Sequence, residues 1–356
     1  MRIAITGATG NVGTALLRRL ATEPDIEVLG TARRTPLPGV GAPYDGVEWH
    51  AVDIAEPASV DELTNWLTGV DAVVHLAWQI QPSHDRERLR RTNVTGTRHV
   101  LEAMRRSGIS TMVYASSVGA YAPGPKNRHI NENWPVTGVP RSDYSVDKAA
   151  VEAVLDGVER ENPQLRVVRM RMALVFQRDA GAELTRYFLG PLAPVSLLRR
   201  RRVPVVPANR RLRVQAVHAD DVAEAYLQAL RGDVVGPFNI AAEPVLDGPM
   251  LAAELRGRAV PVPLPVLRAL AAGAWWARLQ PTEPGWLDLA AAAPLMDCSR
   301  AHHELGWQPR RDARQALREL ITGMAAGAGT ASPSMRVAPG TVRRLIDRLP
   351  GHGNPA

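Results

Sequence analysis

The stretch RIAITGATGNVGTALLRRL, Arg2–Leu20, decides the fold. It opens with a short apolar run, Ile3 to Thr6. It turns on Gly7, Gly10 and Gly13, then continues with Leu16, Leu17 and Leu20 at helical spacing. Strand, glycine turn and helix in that order form the phosphate-cradling start of a dinucleotide-binding unit. Gly7 permits a tight turn, Gly10 lets backbone approach a pyrophosphate, and Gly13 lets the helix pack close to the strand. The helix N-terminus offers unpaired N–H groups to an anion. Candidate cofactor contacts here are Gly7, Thr9, Gly10, Asn11, Val12 and Gly13.

Outward from that stretch, strand and helix patterns alternate to about residue 175. Strands are expected near 26–31, 47–51, 71–76, 112–115 and 167–172, and helices over 57–68, 85–107 and 143–155. The reading is an α/β fold, a Rossmann-type doubly wound parallel sheet over residues 1–177, to which residues 214–240 return. Residues 178–213 and 241–322 are expected to form a smaller substrate lobe. Residues 323–356 read as a flexible linker followed by a basic tail, with a short basic helix at 340–348. The segment 260–277 reads as strand or loop followed by a buried helix.

The 356 residues are 45% hydrophobic and 22% charged, ordinary for a soluble globular chain. A single cysteine, Cys298, excludes an internal disulfide framework and multi-cysteine metal sites, which fits a cytoplasmic location. No secretory h-region opens the chain, and no apolar stretch reaches spanning length, so no membrane partner is expected. The net charge of +7 is concentrated in Arg199–Arg202, Arg210–Arg213 and the tail. With no basic–aromatic platform beside these runs, no nucleic-acid partner is expected.

The second strand ends in Ala32, Arg33 and Arg34. Dinucleotide folds often hold the adenosine ribose there with an acidic residue. An arginine instead pairs with a 2′-phosphate, so NADP is expected over NAD, with Arg33 first and Arg34 second. Asp53 follows the third strand, placed to meet an adenine amino group or to cap a helix. Leu76 and Ala77 end the fourth, where backbone lies beside a cofactor. Tyr144 and Lys148, four apart, share one helical face. An adjacent ammonium lowers a phenol's pKa and suits it to proton exchange with a carbonyl or alcohol oxygen. Ser117, at the end of the fifth strand, is placed to bond the same oxygen. His218, Asp220 and Asp221 read as a helix start, with an aspartate as cap, and His75 as a strand-end residue; no metal is expected.

With these pieces assembled, the chain resembles the extended short-chain dehydrogenase/reductases of the NAD-dependent epimerase/dehydratase family. The resemblance rests on TGATGNVG (6–13), VDI (52–54), HLA (75–77), NVTGT (93–97), YASSVGAY (114–121), YSVDK (144–148) and VHADDVA (217–223). It implies a seven-stranded Rossmann sheet with a C-terminal substrate lobe, and a homodimer. It implies Ser117, Tyr144 and Lys148 as catalytic residues, Lys148 also as ribose ligand, and Asp53 with Ile54 as adenine contacts. It departs from sugar-nucleotide epimerases at Leu174, where those commonly carry a substrate-binding asparagine. It lacks the acidic pair that 4,6-dehydratases carry beside the serine. The expected activity is hydride transfer at a carbonyl or carbinol carbon of a less polar small-molecule substrate. A sugar-nucleotide epimerase with recycled cofactor is the alternative, and a non-catalytic NAD(P) sensor the second, disfavoured by retention of Ser117, Tyr144 and Lys148.

Overall fold

The computed structural model describes residues 1–80, 84–190, 195–199, 202–280 and 282–337. Seven parallel strands form the main sheet: β1 (Arg2–Thr6), β2 (Glu27–Ala32), β3 (Glu48–Ala51), β4 (Ala72–His75), β5 (Thr111–Ser117), β6 (Arg166–Met172) and β7 (Gly236–Ile240). Their spatial order is β7-β6-β5-β4-β1-β2-β3. The order reverses at β1, between β4 and β2, which opens a crevice at the carboxyl ends of β1 and β4.

Strand periodicity assigns the two faces. Ile3 and Ile5 enter one core, and Ala4 enters the other. The first core is closed by α1 (Asn11–Leu20) and a helix over Ala219–Arg231, through Leu16, Leu17, Leu20, Val222 and Tyr226. The second is closed by helices over Ser59–Trp66, Gly96–Arg106 and Asp143–Glu161, through Leu63, Leu101, Met104, Val151 and Leu155. Both faces are covered, as the near-continuous apolar strands require.

The lobe differs from expectation in three places. Val214–His218 does not join the main sheet; it pairs with Leu174–Phe176 and Ala242–Leu246 in a three-stranded sheet of its own. The return to the main sheet is made by residues 219–240. The linker expected from 323 onward is instead a helix, Ala313–Ala326, followed by packed chain in which Ser332 and Met335 are fully buried. The small side chains there allow close packing against the rest of the protein. The helix Leu264–Trp276, expected to be buried, has no buried residue at all. The expected basic helix at 340–348 and the arginines at 200 and 201 lie outside the described residues.

Candidate active site

The glycine turn is forced by its neighbours. Gly7 has φ +72°, and a Cβ there would lie 2.6 Å from the Cα and N of Ala77. A Cβ on Gly13 would meet the Ala8 carbonyl at 2.5 Å, so this glycine brings the helix against the turn itself rather than against the strand. Gly10 is the N-cap of α1; no side chain caps that end and no acidic residue stands in the first turn. The N–H groups of Asn11, Val12 and Gly13 therefore have no helical partner. A bare, positive helix end in a cradle that a side chain would fill suits a pyrophosphate. We expect Gly7→Ala to cost about 1–3 kcal/mol from strain at positive φ, read as a lower urea midpoint, together with loss of cofactor binding.

Several residues brace this turn that the sequence reading missed. Ser332 and Ser334 both donate their hydroxyls to the Thr9 carbonyl, at 2.5 Å each, and Ser334 also bonds the Thr9 hydroxyl. Tyr44 links Thr14 to Thr330. The Asn11 side chain is held by the Val175 carbonyl and by Gln177. The Thr9 carbonyl and the Asn11 side chain are thus engaged within the protein. No local pattern links residues more than 160 positions apart, so nothing in the sequence signals these contacts.

At the end of β2, Arg33 and Arg34 are exposed, and neither has an ion-pair partner among the described residues. Asp53 accepts the Ala55 N–H at 3.0 Å and does not cap the next helix, whose N-cap is Ala58. Ile54 is buried, its carbonyl accepting from His99. The Leu76 N–H donates to the Thr6 carbonyl at 2.9 Å, and Ala77 follows beside Gly7. His75 is fully buried between Thr6 and Thr97. Burial, with the Lys148 charge second, pushes its pKa down to about 3, so it is a neutral structural residue.

Alternation along β5 separates its two serines. The Ser116 hydroxyl points to the buried Glu152 carboxylate at 2.5 Å. Ser117 faces the Tyr144 phenol, and its oxygen accepts the Gly119 N–H at 3.0 Å, which leaves its own proton free to donate. The Tyr144 ring lies over Gly119, where a Cβ would come within 2.9 Å of it. Trp78 stands edge-on to Tyr144 at 5.9 Å and Trp286 lies at 4.9 Å, with Phe188 packed on Trp286 at 5.2 Å. Trp286 packs beside Tyr144 against Val139 and Leu289, whereas Trp276 is 75% exposed and Trp275 stacks on His84.

The expected coupling between Lys148 and Tyr144 takes another form. The Lys148 ammonium lies 3.5 Å from the centre of the Trp78 ring, and donates to the Ala115 carbonyl and to the Tyr114 hydroxyl. Burial drives its pKa well below the usual lysine range, against Glu152 and Asp147. Burial also pushes the Tyr144 phenol up to about 12, with Ser117 pulling the other way. The expectation of a lowered tyrosine pKa is therefore corrected: desolvation exceeds every stabilising contact. A phenol that stays protonated at neutral pH is a proton donor.

His218, rather than an aspartate, caps the helix Ala219–Arg231, accepting the Asp220 N–H. Asp221 is buried and accepts the N–H groups of Arg310 and Arg311, tying the lobe to this helix. A separate groove of about 860 Å³, lined among others by Leu17, Leu20, Ile26 and Pro43, lies at the amino ends of β1 and β2. Ligands of open parallel sheets bind at the carboxyl ends, so this groove is not the site.

The chain is similar to known proteins in sequence and in fold. The family model "NAD dependent epimerase/dehydratase family" matches residues 3–241. An uncharacterized protein of Mycobacterium tuberculosis is 30% identical over 323 residues, covering 90% of this chain and 30% of that protein. The chain thus spans about 30% of the length of the first curated relatives it matches. The NAD-dependent glucose-6-phosphate dehydrogenase of Haloferax volcanii is 30% identical over 194 residues, 52% of this chain and 72% of that one. Among solved structures, UDP-glucose 4-epimerase of Thermotoga maritima with UDP-glucose superposes at TM-score 0.69 and 18% identity, covering 92% of this chain and 99% of the other. The dTDP-glucose 4,6-dehydratase of Streptomyces venezuelae, with NAD bound, superposes at TM-score 0.67 and 21% identity, covering 91% and 96%. The likeness to these two structures is one of fold. With the fold, the glycine cradle and the matched span together, the chain belongs to the NAD-dependent epimerase/dehydratase family.

Proposed function

We propose that the protein is an NADPH-dependent reductase of an apolar carbonyl compound. The observation that carries this reading is the Ser117–Tyr144 pair enclosed by Trp78, Trp286 and Phe188. Aromatic walls favour an apolar or planar substrate and exclude the water that a sugar ring would bring with it. A bound nicotinamide cofactor supplies the hydride. Ser117 donates a hydrogen bond to the substrate oxygen, and Tyr144 donates the proton to that same atom as negative charge builds on it. The raised Tyr144 pKa supports the reductive direction, because the donor is fully protonated at neutral pH. Lys148, buried within reach of the same pocket, serves the ribose hydroxyls. Leu174 is 41% exposed and offers no hydrogen bond to a sugar or phosphate, which also supports the apolar substrate.

The preference for NADPH rests on Arg33 and Arg34, free at the end of β2. An arginine–phosphate pair contributes about 1.5–3 kcal/mol. We therefore expect Arg33→Ala to lower kcat/KM for NADPH by about 10- to 100-fold and to leave NADH nearly unchanged. Equal loss with both cofactors would remove the assignment. Stoichiometric NADPH oxidation with an apolar ketone or aldehyde supports the reductase. Turnover of a nucleotide sugar with no net absorbance change identifies an epimerase instead, and cofactor binding without any turnover identifies a sensor.

A further inference from the structure

The helix Leu264–Trp276 and the turn after it present an apolar surface that the other described residues leave exposed. Val266 is 47% exposed, Leu270 65%, Trp276 75% and Leu279 54%. Val266, Ala269, Leu270, Gly273 and Trp276 recur at helical spacing, so these exposed positions form one stripe. The helix's one charged residue, Arg268, pairs with Asp288 at 3.0 Å, its side chain 40% exposed. The exposed positions of the stripe itself are all uncharged. A solvent-facing stripe of this kind is the reverse of an ordinary surface helix.

The charge around it identifies what covers it. Residues 184–219 hold eight arginines and residues 255–282 hold four, and neither stretch contains an aspartate or glutamate. These twelve exceed the +7 of the whole chain, so the remainder is net acidic. Several of the twelve flank the helix. Arg210 and Arg211 are exposed beside its start, where the neighbouring Asn209 donates to the Val262 carbonyl at 2.9 Å. Arg256 and Arg258 are exposed on the segment leading into it, and Arg278 follows its end. A second copy of this chain would bring the same positive surface and be repelled. Its own residues 338–356, with three arginines to one aspartate, suffer the same repulsion. An apolar stripe with a tryptophan at one end and arginines around it matches the headgroup and acyl boundary of an anionic bilayer.

We propose that this face docks the protein onto an anionic lipid surface, the helix lying in the interfacial plane and the arginines among the headgroups. The expectation of no membrane partner rests on the lack of a secretory h-region and of a spanning stretch, and among the described residues no helix is long and apolar enough to cross a bilayer. Lying on one needs only the stripe. The docked helix packs against Pro284–Ala292, the helix that carries Trp286 to Tyr144. The inference does not depend on which compound is reduced.

The test is co-sedimentation of the full chain with vesicles of phosphatidylcholine alone and of equimolar phosphatidylcholine and phosphatidylglycerol. Binding to the anionic vesicles, weakened by salt, is the expected result. Leu270→Ser with Trp276→Ser should lower the vesicle partition coefficient about tenfold or more, with the thermal midpoint unchanged because both side chains are exposed. In the wild type, brominated acyl chains should quench tryptophan emission, and Trp276→Phe should bind yet lose most of that quenching. The proposal is overturned by no binding to anionic vesicles, by binding indifferent to the double substitution, or by no quenching. It is equally overturned if sedimentation velocity shows a dimer that the double substitution dissolves.

Discussion

Tyr144→Phe is expected to lower kcat for carbonyl reduction by about 10²- to 10⁴-fold, the range removed with a positioned proton donor. The substitution deletes one oxygen and keeps the ring, so the contacts with Trp78 and Trp286 and the cover over Gly119 remain. Cofactor affinity, measured by fluorescence titration, should stay within a factor of about two, because the phenol acts on substrate oxygen alone. The pH profile separates this role from a structural one. With the phenol raised to about 12, wild-type reduction should show no tyrosine ionisation across the neutral range and should fall only as strongly alkaline pH removes the donor's proton. Turnover retained in the variant would exclude Tyr144 as the donor.

Glu152→Ala is expected to cost about 3–5 kcal/mol of folding stability, read by urea denaturation. Glu152 is 1% exposed and is the shared carboxylate of two buried arginines. Arg171 grips it with Nε at 2.9 Å and Nη2 at 3.0 Å, and Arg169 meets it at 3.0 Å. Burial alone would raise the Glu152 pKa; Arg171 and then Arg169 outweigh it and hold it below the usual carboxylate value. Removing the carboxylate leaves the Arg171 charge with Tyr121 and a backbone carbonyl only, while Arg169 keeps Asp156 and Glu159. The pH dependence has a definite sign. A carboxylate with a depressed folded pKa contributes fully above its unfolded value of 4.5 and loses that contribution as pH falls through the folded value. The stability gap between wild type and variant should therefore be widest near neutrality and narrow in acid. A gap unchanged down to strongly acid pH would mean that lost packing, not lost charge, sets the cost.

The same cluster shows where sequence reading stops. Arg171 sits in the segment that the family resemblance aligns with substrate binding, and one sequence offers no reason to bury it. Its burial is decided by Glu152, 19 positions away on a helix facing β6. Lys148 is similar. Helical spacing put it on one face with Tyr144, but the Trp78 ring and the Ala115 carbonyl, from two other strand ends, fix where its ammonium goes. Ser117 was separable from Ser116 only through the family's spacing. In the fold the reason is the alternation of β5, with Glu152 on one side and Tyr144 on the other.

What the sequence determined by itself is local and periodic. The glycines at 7, 10 and 13, the apolar strands and the leucines of α1 specify a strand–turn–helix cradle, because backbone geometry and side-chain period act over a few residues. The tertiary structure decided what depends on distant partners. It packs Ser332 and Ser334 onto the Thr9 carbonyl, where the sequence suggested a linker. It raises the Tyr144 pKa, since desolvation is a property of the whole surroundings and not of the residue four positions on. It also leaves the helix Leu264–Trp276 outside the core. An apolar run reads the same whatever covers it, and only the packing of the rest of the chain shows that the other described residues do not bury this one.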